Sequence, residues 1–257
     1  MRGWSLWAVR MLGVASMLVL AAAGARANPD ALWDIVHGRC VPDMQESASP
    51  APCTLVSLGA GVERGYAALK DRRGIAQYLL IPTARVTGIE DPALLAAGTP
   101  NYFDAAWRIR DLVQARLPRA LPRDGFSLAI NSAYGRTQNQ LHIHVDCVRA
   151  DVRDALRDNA QQIGAAFAPF APRLAGRRYL ARRIAAAELT TDNPFLLLAA
   201  GVNGAREAMG RYTLVVVGMD FAGEGPGFVL LAGRADPTAG NPGSGEELQD
   251  HDCAIAR

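Results

Sequence analysis

An antiparallel α+β fold, a sheet with flanking helices, is predicted by three observations. Short apolar runs are bounded by turn residues, amphipathic stretches lie between them, and in two places neighbouring runs are separated only by a polar turn. With 257 residues, half of them hydrophobic, the chain can bury a substantial core. The formal charge of +2 rests almost wholly on arginine, with Lys70 the single lysine, and no basic block with interleaved aromatics marks a nucleic-acid partner.

The N-terminus joins two arginines, the apolar run "MLGVASMLVLAAA" and the small-x-small pattern Ala25-Arg26-Ala27. Residues 1–27 therefore read as a signal peptide cleaved before Asn28, or as a retained N-terminal membrane anchor. Residues 28–257 are then the exported body, periplasmic or held at the inner membrane facing the periplasm. In an oxidising compartment four cysteines most simply make two disulfides. Cys40 and Cys53 bracket the turn-rich "VPDMQESASPAP", which leaves Cys147 for Cys253. That long bridge would tie the C-terminal tail to the strand "NQLHIHVDCV" and stabilise by about 4 to 5 kcal/mol, although four cysteines also allow two other pairings.

Along the chain, "GYAALKD" and "AQYLLIP" flank "RRGI" as a hairpin, and "PNYFDAAWRIRDLVQARL" places Trp107, Ile109, Leu112 and Val113 near helical spacing. "FSLAINS" and "NQLHIHVDCV" follow as strands. "DVRDALRDNAQQIGAAF" is a helix opening on Asp151 as its N-cap. "RRYLARRI" is a strand, "NPFLLLAAGVNGAREAMG" a helix broken near Gly201, and "RYTLVVVGM" pairs through "DFAGEGPG" with "FVLLAGR". The second hairpin echoes the first, which would make the chain two related halves, the second starting at about residue 175. "RADPTAGNPGSGEE" is expected to be a surface loop before a short terminal helix.

Two of the four histidines stand one residue apart. In a strand His142, His144 and Asp146 share one face, while Leu141, Ile143, Val145 and Cys147 share the core face. The polar set would line an open face or cleft, next to the turn that carries Asn131, Gln138 and Asn139. A zinc site is the first alternative, since His-x-His plus Asp offers three ligands. Against it, Cys147 is on the wrong face, and His37 and His251 stand isolated near the ends. A polar strand face with no function is the second. No P-loop and no G-x-S-x-G elbow is present.

The spacing Asn131-x6-Gln138-x5-His144, with His144 inside a His-apolar-His-apolar strand, resembles the histidine-triad superfamily of nucleotide hydrolases and transferases. The sequence departs from that pattern at the third histidine, which is Asp146, and at Asn139, where a serine is common. "QYLLIPTARVTGIE", "SLAINSAYGRTQNQLHIHVDCVRADVR", "YLARRI", "EAMGRY", "EELQDHDCAIAR" and the early cysteine pair are similar to one branch, the bacterial CDP-diacylglycerol pyrophosphatases, from about Cys40 to the C-terminus.

The resemblance implies a histidine-triad-like sheet that hydrolyses CDP-diacylglycerol to CMP and phosphatidate. Its expected partner is a membrane phospholipid substrate, with association at the membrane. His144 is the expected nucleophile, because imidazole is largely unprotonated at neutral pH. Asn131, Gln138 and Asn139 are expected to bind the substrate phosphate. His142 would contact phosphate or orient its neighbour, and Asp146 would hold a ring nitrogen of His144. The leaving group is itself a phosphate ester, so neither a metal nor another cofactor is expected. The rival readings are a related enzyme acting on a soluble nucleotide diphosphate, and a non-catalytic exported module binding nucleotides or lipid headgroups.

Overall fold

Strands form where the apolar residues alternate or run together, and here nine of them join one antiparallel sheet. The computed structural model describes Met1 and residues 28–257, so the signal or anchor segment read at residues 1–27 lies outside the described residues. The strands are β1 (Leu55–Ser57), β2 (Tyr66–Lys70), β3 (Tyr78–Pro82), β4 (Phe126–Ile130), β5 (Ile143–Cys147), β6 (Ala168–Pro169), β7 (Leu180–Ala185), β8 (Tyr212–Phe221) and β9 (Gly225–Arg234). Their order is β1-β2-β3-β5-β4-β8-β9-β7-β6. The sheet runs unbroken across the boundary expected near residue 175, because β4 pairs with β8.

Both faces are covered, which is why β3, β4 and β5 are buried at every residue. On one face Leu80, Leu128, Ile143, Val145 and Val216 meet Phe103 and Trp107 of α3 (Tyr102–Arg108), Val113 of α4 (Arg110–Gln114), and Phe195 and Leu198 of α6 (Pro194–Gly201). Asn101 caps the first of these helices by accepting from the Asp104 N–H, and Asn193 caps the last by accepting from the Phe195 N–H with Pro194 next to it. On the other face Val152 and Leu156 of α5 (Ala150–Asp158) pack with Leu248 on Ala129, Val215 and Leu231. The N-terminal helices α1 (Ala31–Ile35) and α2 (Val41–Ser47) cover Val56, Ala67, Leu79 and Ile81.

Several boundaries differ from the sequence reading. "VPDMQESASPAP" is not all turn: its first half continues as α2, behind a wide helical turn at Val36–Cys40. Asp151 is not an N-cap, a place taken by Arg149; it sits in the first turn of α5, paired with Arg149 at 2.8 Å. That helix stops at Asp158 rather than near Phe167. The terminal helix is only a single tight turn, Ala254–Ala256. No helix among the described residues is long and apolar enough to cross a membrane.

Disulfides join Cys40 to Cys53 and Cys147 to Cys253, across 13 and 106 residues, and no described cysteine is free. The chain-entropy model assigns about 3 kcal/mol to the short loop and about 5 kcal/mol to the long one. Urea unfolding of the two double Cys→Ser variants should therefore rank Cys147/Cys253 as the costlier loss by about 2 kcal/mol.

Candidate active site

The strand register fixes what surrounds His144. Leu69, Leu79, His144, Ala129, Val215, Leu231 and Ala181 are successive cross-strand partners from β2 to β7, so His144 is the polar member of an otherwise apolar rung. The expected open face is therefore corrected: His142, His144 and Asp146 are all buried, under the segment that follows β9. That segment is seated by a glycine. A Cβ on Gly245 would stand 2.6 Å from Thr213 Oγ1 and 2.9 Å from Val215 Cγ2, so only glycine lets the backbone lie on the sheet here. The loop expected at the surface thus forms the roof of the site.

Two buried side-chain amides, Asn131 and Gln249, hold the roof down. Asn131 Oδ1 accepts from the Gly245 N–H at 2.8 Å and from the Ser244 hydroxyl at 3.2 Å. Its Nδ2 donates to Glu246 Oε1 at 2.6 Å. Buried Gln249 donates to the carbonyl oxygens of Ser127 and His144, each at 3.1 Å. Glu246 Oε1 also stands 3.2 Å from His144 Nε2, close but out of line for a hydrogen bond.

The imidazoles are well fixed. The Gln77 side-chain amide lies 2.7 Å from His144 Nδ1, and Gln77 is itself fully buried. His142 Nδ1 lies 2.7 Å from the Gln140 carbonyl oxygen, which only accepts, so the proton of a neutral His142 is on Nδ1 and Nε2 carries the lone pair. The two rings meet edge to face with centroids 4.8 Å apart. Asp146 does not orient His144 as expected. Its Oδ2 lies 2.7 Å from His251 Nδ1, and its Oδ1 accepts from the Cys147 N–H at 2.9 Å.

Burial lowers both strand imidazoles: His142 falls below the ordinary value, and His144 falls well below it, with the nearby cationic forms of His142 and His251 and the Arg73 charge adding to the effect. His251 moves the other way, raised chiefly by its hydrogen bond to Asp146, while burial pushes the Asp146 carboxyl up against the hydrogen bonds it accepts.

Not all of the expected phosphate contacts gather at the histidines. Asn131 does. Gln138 is spent on the N-terminal segment, accepting from the Leu32 N–H at 3.0 Å and donating to the Asn28 carbonyl at 2.9 Å. The Asn139 backbone N–H donates to the Pro29 carbonyl at 2.6 Å. Arg136, by contrast, lines a small cavity with His142, Asn131, Gln140 and Gly88. Arg136 makes a two-pronged pair with Glu90 at 2.6 and 2.7 Å, and its buried Nε has no partner. On another side a broader open cleft is lined by Arg149, Asp151, Gln249, Asp250 and His251.

Sequence reasoning missed Gln77, Arg136, Glu246, Gln249 and His251. All five lie within the segments quoted for their family resemblance, Gln77 opening the first, Arg136 in the central one and Glu246, Gln249 and His251 in the last, but none carries a local signature that marks a role. The grouping of metal-ligand types among the described residues, Asp146 with Cys147 and Cys253, cannot serve as three ligands because both sulfurs are spent on the disulfide. What the arrangement offers is a buried imidazole nitrogen, His144 Nε2, facing the Glu246 carboxylate.

Residues 27–257 match the family model described as CDP-diacylglycerol pyrophosphatase. The chain is also 42% identical over 244 residues to the CDP-diacylglycerol pyrophosphatase of Yersinia pestis, an alignment covering 93% of this chain and 92% of that one.

The shifts of His144 and His251 are opposite in sign and should be visible separately. In an imidazole ¹⁵N NMR titration from about pH 5 to about pH 8, His144 should still be neutral below pH 6.5 and His251 still charged above it. Titration of both rings together at the ordinary value would contradict the buried setting of His144 and the Asp146–His251 contact.

Proposed function

The chain belongs to the CDP-diacylglycerol pyrophosphatase family and hydrolyses CDP-diacylglycerol; from that premise we propose that it does so through a covalent cytidylyl-histidine at His144. The observation that carries this reading is the meeting of His144 Nε2 and Asn131 Nδ2 on one carboxylate oxygen, Glu246 Oε1, at 3.2 and 2.6 Å. A non-bridging oxygen of a substrate phosphate would take the place of that oxygen, with the amide as its donor.

In the first step the Nε2 lone pair of His144 forms a bond to the CMP phosphorus and the anhydride P–O bond breaks, its electron pair leaving with phosphatidate. In the second, water attacks the same phosphorus and gives up a proton to solvent, the P–N bond breaks with its electron pair returning to His144 Nε2, and CMP departs. Attack from Nε2 requires the proton on Nδ1. Turning over the Gln77 amide places its oxygen, otherwise buried without a partner, on that Nδ1–H. Burial favours the neutral imidazole on which the attack depends. His142 and Arg136, which line one cavity with Asn131, are the groups to hold the remaining phosphate oxygens. Because phosphatidate is a good leaving group, neither a metal nor a strong general acid is needed.

A diacyl substrate brings the protein to a membrane surface. The exposed tip of the β2–β3 hairpin carries Arg72, Arg73 and a 45% exposed Ile75, and the Ile75 N–H donates to the His251 carbonyl at 3.0 Å, so this tip adjoins the site. The arginines of "GRRYLARR" suit the role less, since Arg183 pairs with Glu224 at 2.7 Å and Arg177 donates to the Gly240 carbonyl at 2.9 Å. Two disulfides suit an oxidising compartment, in keeping with export as a periplasmic protein.

Rapid quenching during turnover should trap a cytidylyl group that is acid-labile, base-stable and mapped to His144. His144→Ala should abolish the adduct and lower turnover by on the order of 10³-fold or more, and His142→Ala should weaken both without abolishing either. A chelator should leave rate and adduct unchanged; loss of activity restored by zinc would overturn the mechanism. Equal or faster turnover of soluble nucleotide diphosphates would overturn the lipid preference.

A further inference from the structure

We propose that His251, supplied by the C-terminal tail, is the third histidine of this active site and donates from Nε2 to an oxygen of the phosphate under attack. The strand offers His142, His144 and then Asp146, a carboxylate where a phosphate would be repelled. Asp146 is fully buried and instead takes hold of His251 Nδ1 at 2.7 Å. A carboxylate accepts only, so Nδ1 carries a proton, and the far side of the ring turns to Glu246, with Nε2 3.9 Å from Oε2. Glu246 thus has His144 Nε2 and Asn131 Nδ2 on one oxygen and His251 Nε2 nearest the other. One planar anion held among these three groups stands in for two oxygens of a phosphate. The inference rests on His144 being the nucleophile, and adds the group that completes its oxyanion site.

His251 is a tail residue, yet it is fixed as firmly as a strand residue. The Cys147–Cys253 disulfide anchors the chain two positions on, and the Asp250 N–H donates to the Cys147 carbonyl at 2.9 Å. From the other side the β2–β3 hairpin abuts it: a Cβ on Gly74 would lie 3.1 Å from both the Cβ and the carbonyl oxygen of His251, at a backbone φ of +68°. The ring still reaches solvent. Its side chain is 33% exposed and lines the broad cleft with Gln249, whereas that of His144 is 5% exposed. Substrate entering by that cleft meets His251 before it reaches His144.

The charges facing His251 favour its cation. Asp146 on β5, Glu246 in the roof and Asp71 in the hairpin raise its pKa, against its partial burial. Lys70 and Arg73 stand on the hairpin side, Asp250 and Asp252 flank it in its own segment, and neighbouring His144 is held neutral. Cationic His251 is therefore present below its raised pKa and is lost as pH rises through it. When phosphate binds, the Glu246 carboxylate must withdraw, since two anions cannot share the Asn131 and His251 donors.

The test compares wild type with His251→Gln and Asp146→Asn, reading kcat/KM for CDP-diacylglycerol across pH, CMP binding by calorimetry, and the trapped adduct. Wild-type kcat/KM should fall on the alkaline side. His251→Gln should lower it about 10²-fold at neutral pH and remove the alkaline fall, with CMP affinity down about tenfold and no longer pH-dependent. The adduct should still form on His144 in this variant, only more slowly. Asp146→Asn, which keeps the shape but removes the charge, should move the alkaline fall to lower pH. A folded His251→Gln enzyme with an unchanged pH profile and CMP affinity would overturn the proposal. Should that variant not fold, an unmoved alkaline fall in Asp146→Asn would do the same. Absence of any His144 adduct in wild type, with the His251 effects intact, would instead sink the nucleophile and leave the anion contact standing.

Discussion

A carboxylate buried in the middle of a wide sheet must be met by a proton donor, and Asp146 is such a carboxylate. Its desolvation would cost several kcal/mol if left uncompensated, and removing one partner of a buried pair costs on the order of 3 to 5 kcal/mol. His251 answers that demand from 105 residues away in sequence. Once the tail is drawn to β5 by this contact and by the neighbouring disulfide, the residues just before it, Gly245 to Gln249, have to lie across the sheet. The roof over the two strand histidines therefore follows from satisfying one buried charge.

The roof and the sheet together set the chemistry. An apolar rung on both sides of His144 removes water, which lowers its proton affinity and keeps the ring neutral. The same low dielectric strengthens every donor aimed at an incoming phosphate. Asn131 and Glu246 have opposite parts in this. On the proposed reading the amide is the donor that substrate would meet, and the Glu246 carboxylate now accepts from that donor.

How much could be read beforehand depended on the range over which each signal acts. The β2–β3 and β8–β9 hairpins were legible because alternation and turn residues are local, and so was the strand that carries His142 and His144. The common face of His142, His144 and Asp146 was legible too, but not its cover, since nothing in "GSGEE" says that Gly245 fits against Val215. His251 stands alone in the sequence, and only the antiparallel register and the tail's return bring it to Asp146. Gln138 matched a motif by spacing, yet in this fold both ends of its amide bind the segment at Asn28–Leu32. Spacing can place a residue on the right turn without saying which neighbour will claim its side chain.

On the proposed mechanism His144, Asn131 and His251 converge on a single phosphate position, the one that the Glu246 carboxylate fills in this structure. A crystal structure of the protein with CMP tests it most directly. The account predicts the CMP phosphate in hydrogen-bond reach of His144 Nε2, Asn131 Nδ2 and His251 Nε2, with the Glu246 side chain displaced. A phosphate bound only beside Arg136, with Glu246 still on Asn131 and His144, would contradict it.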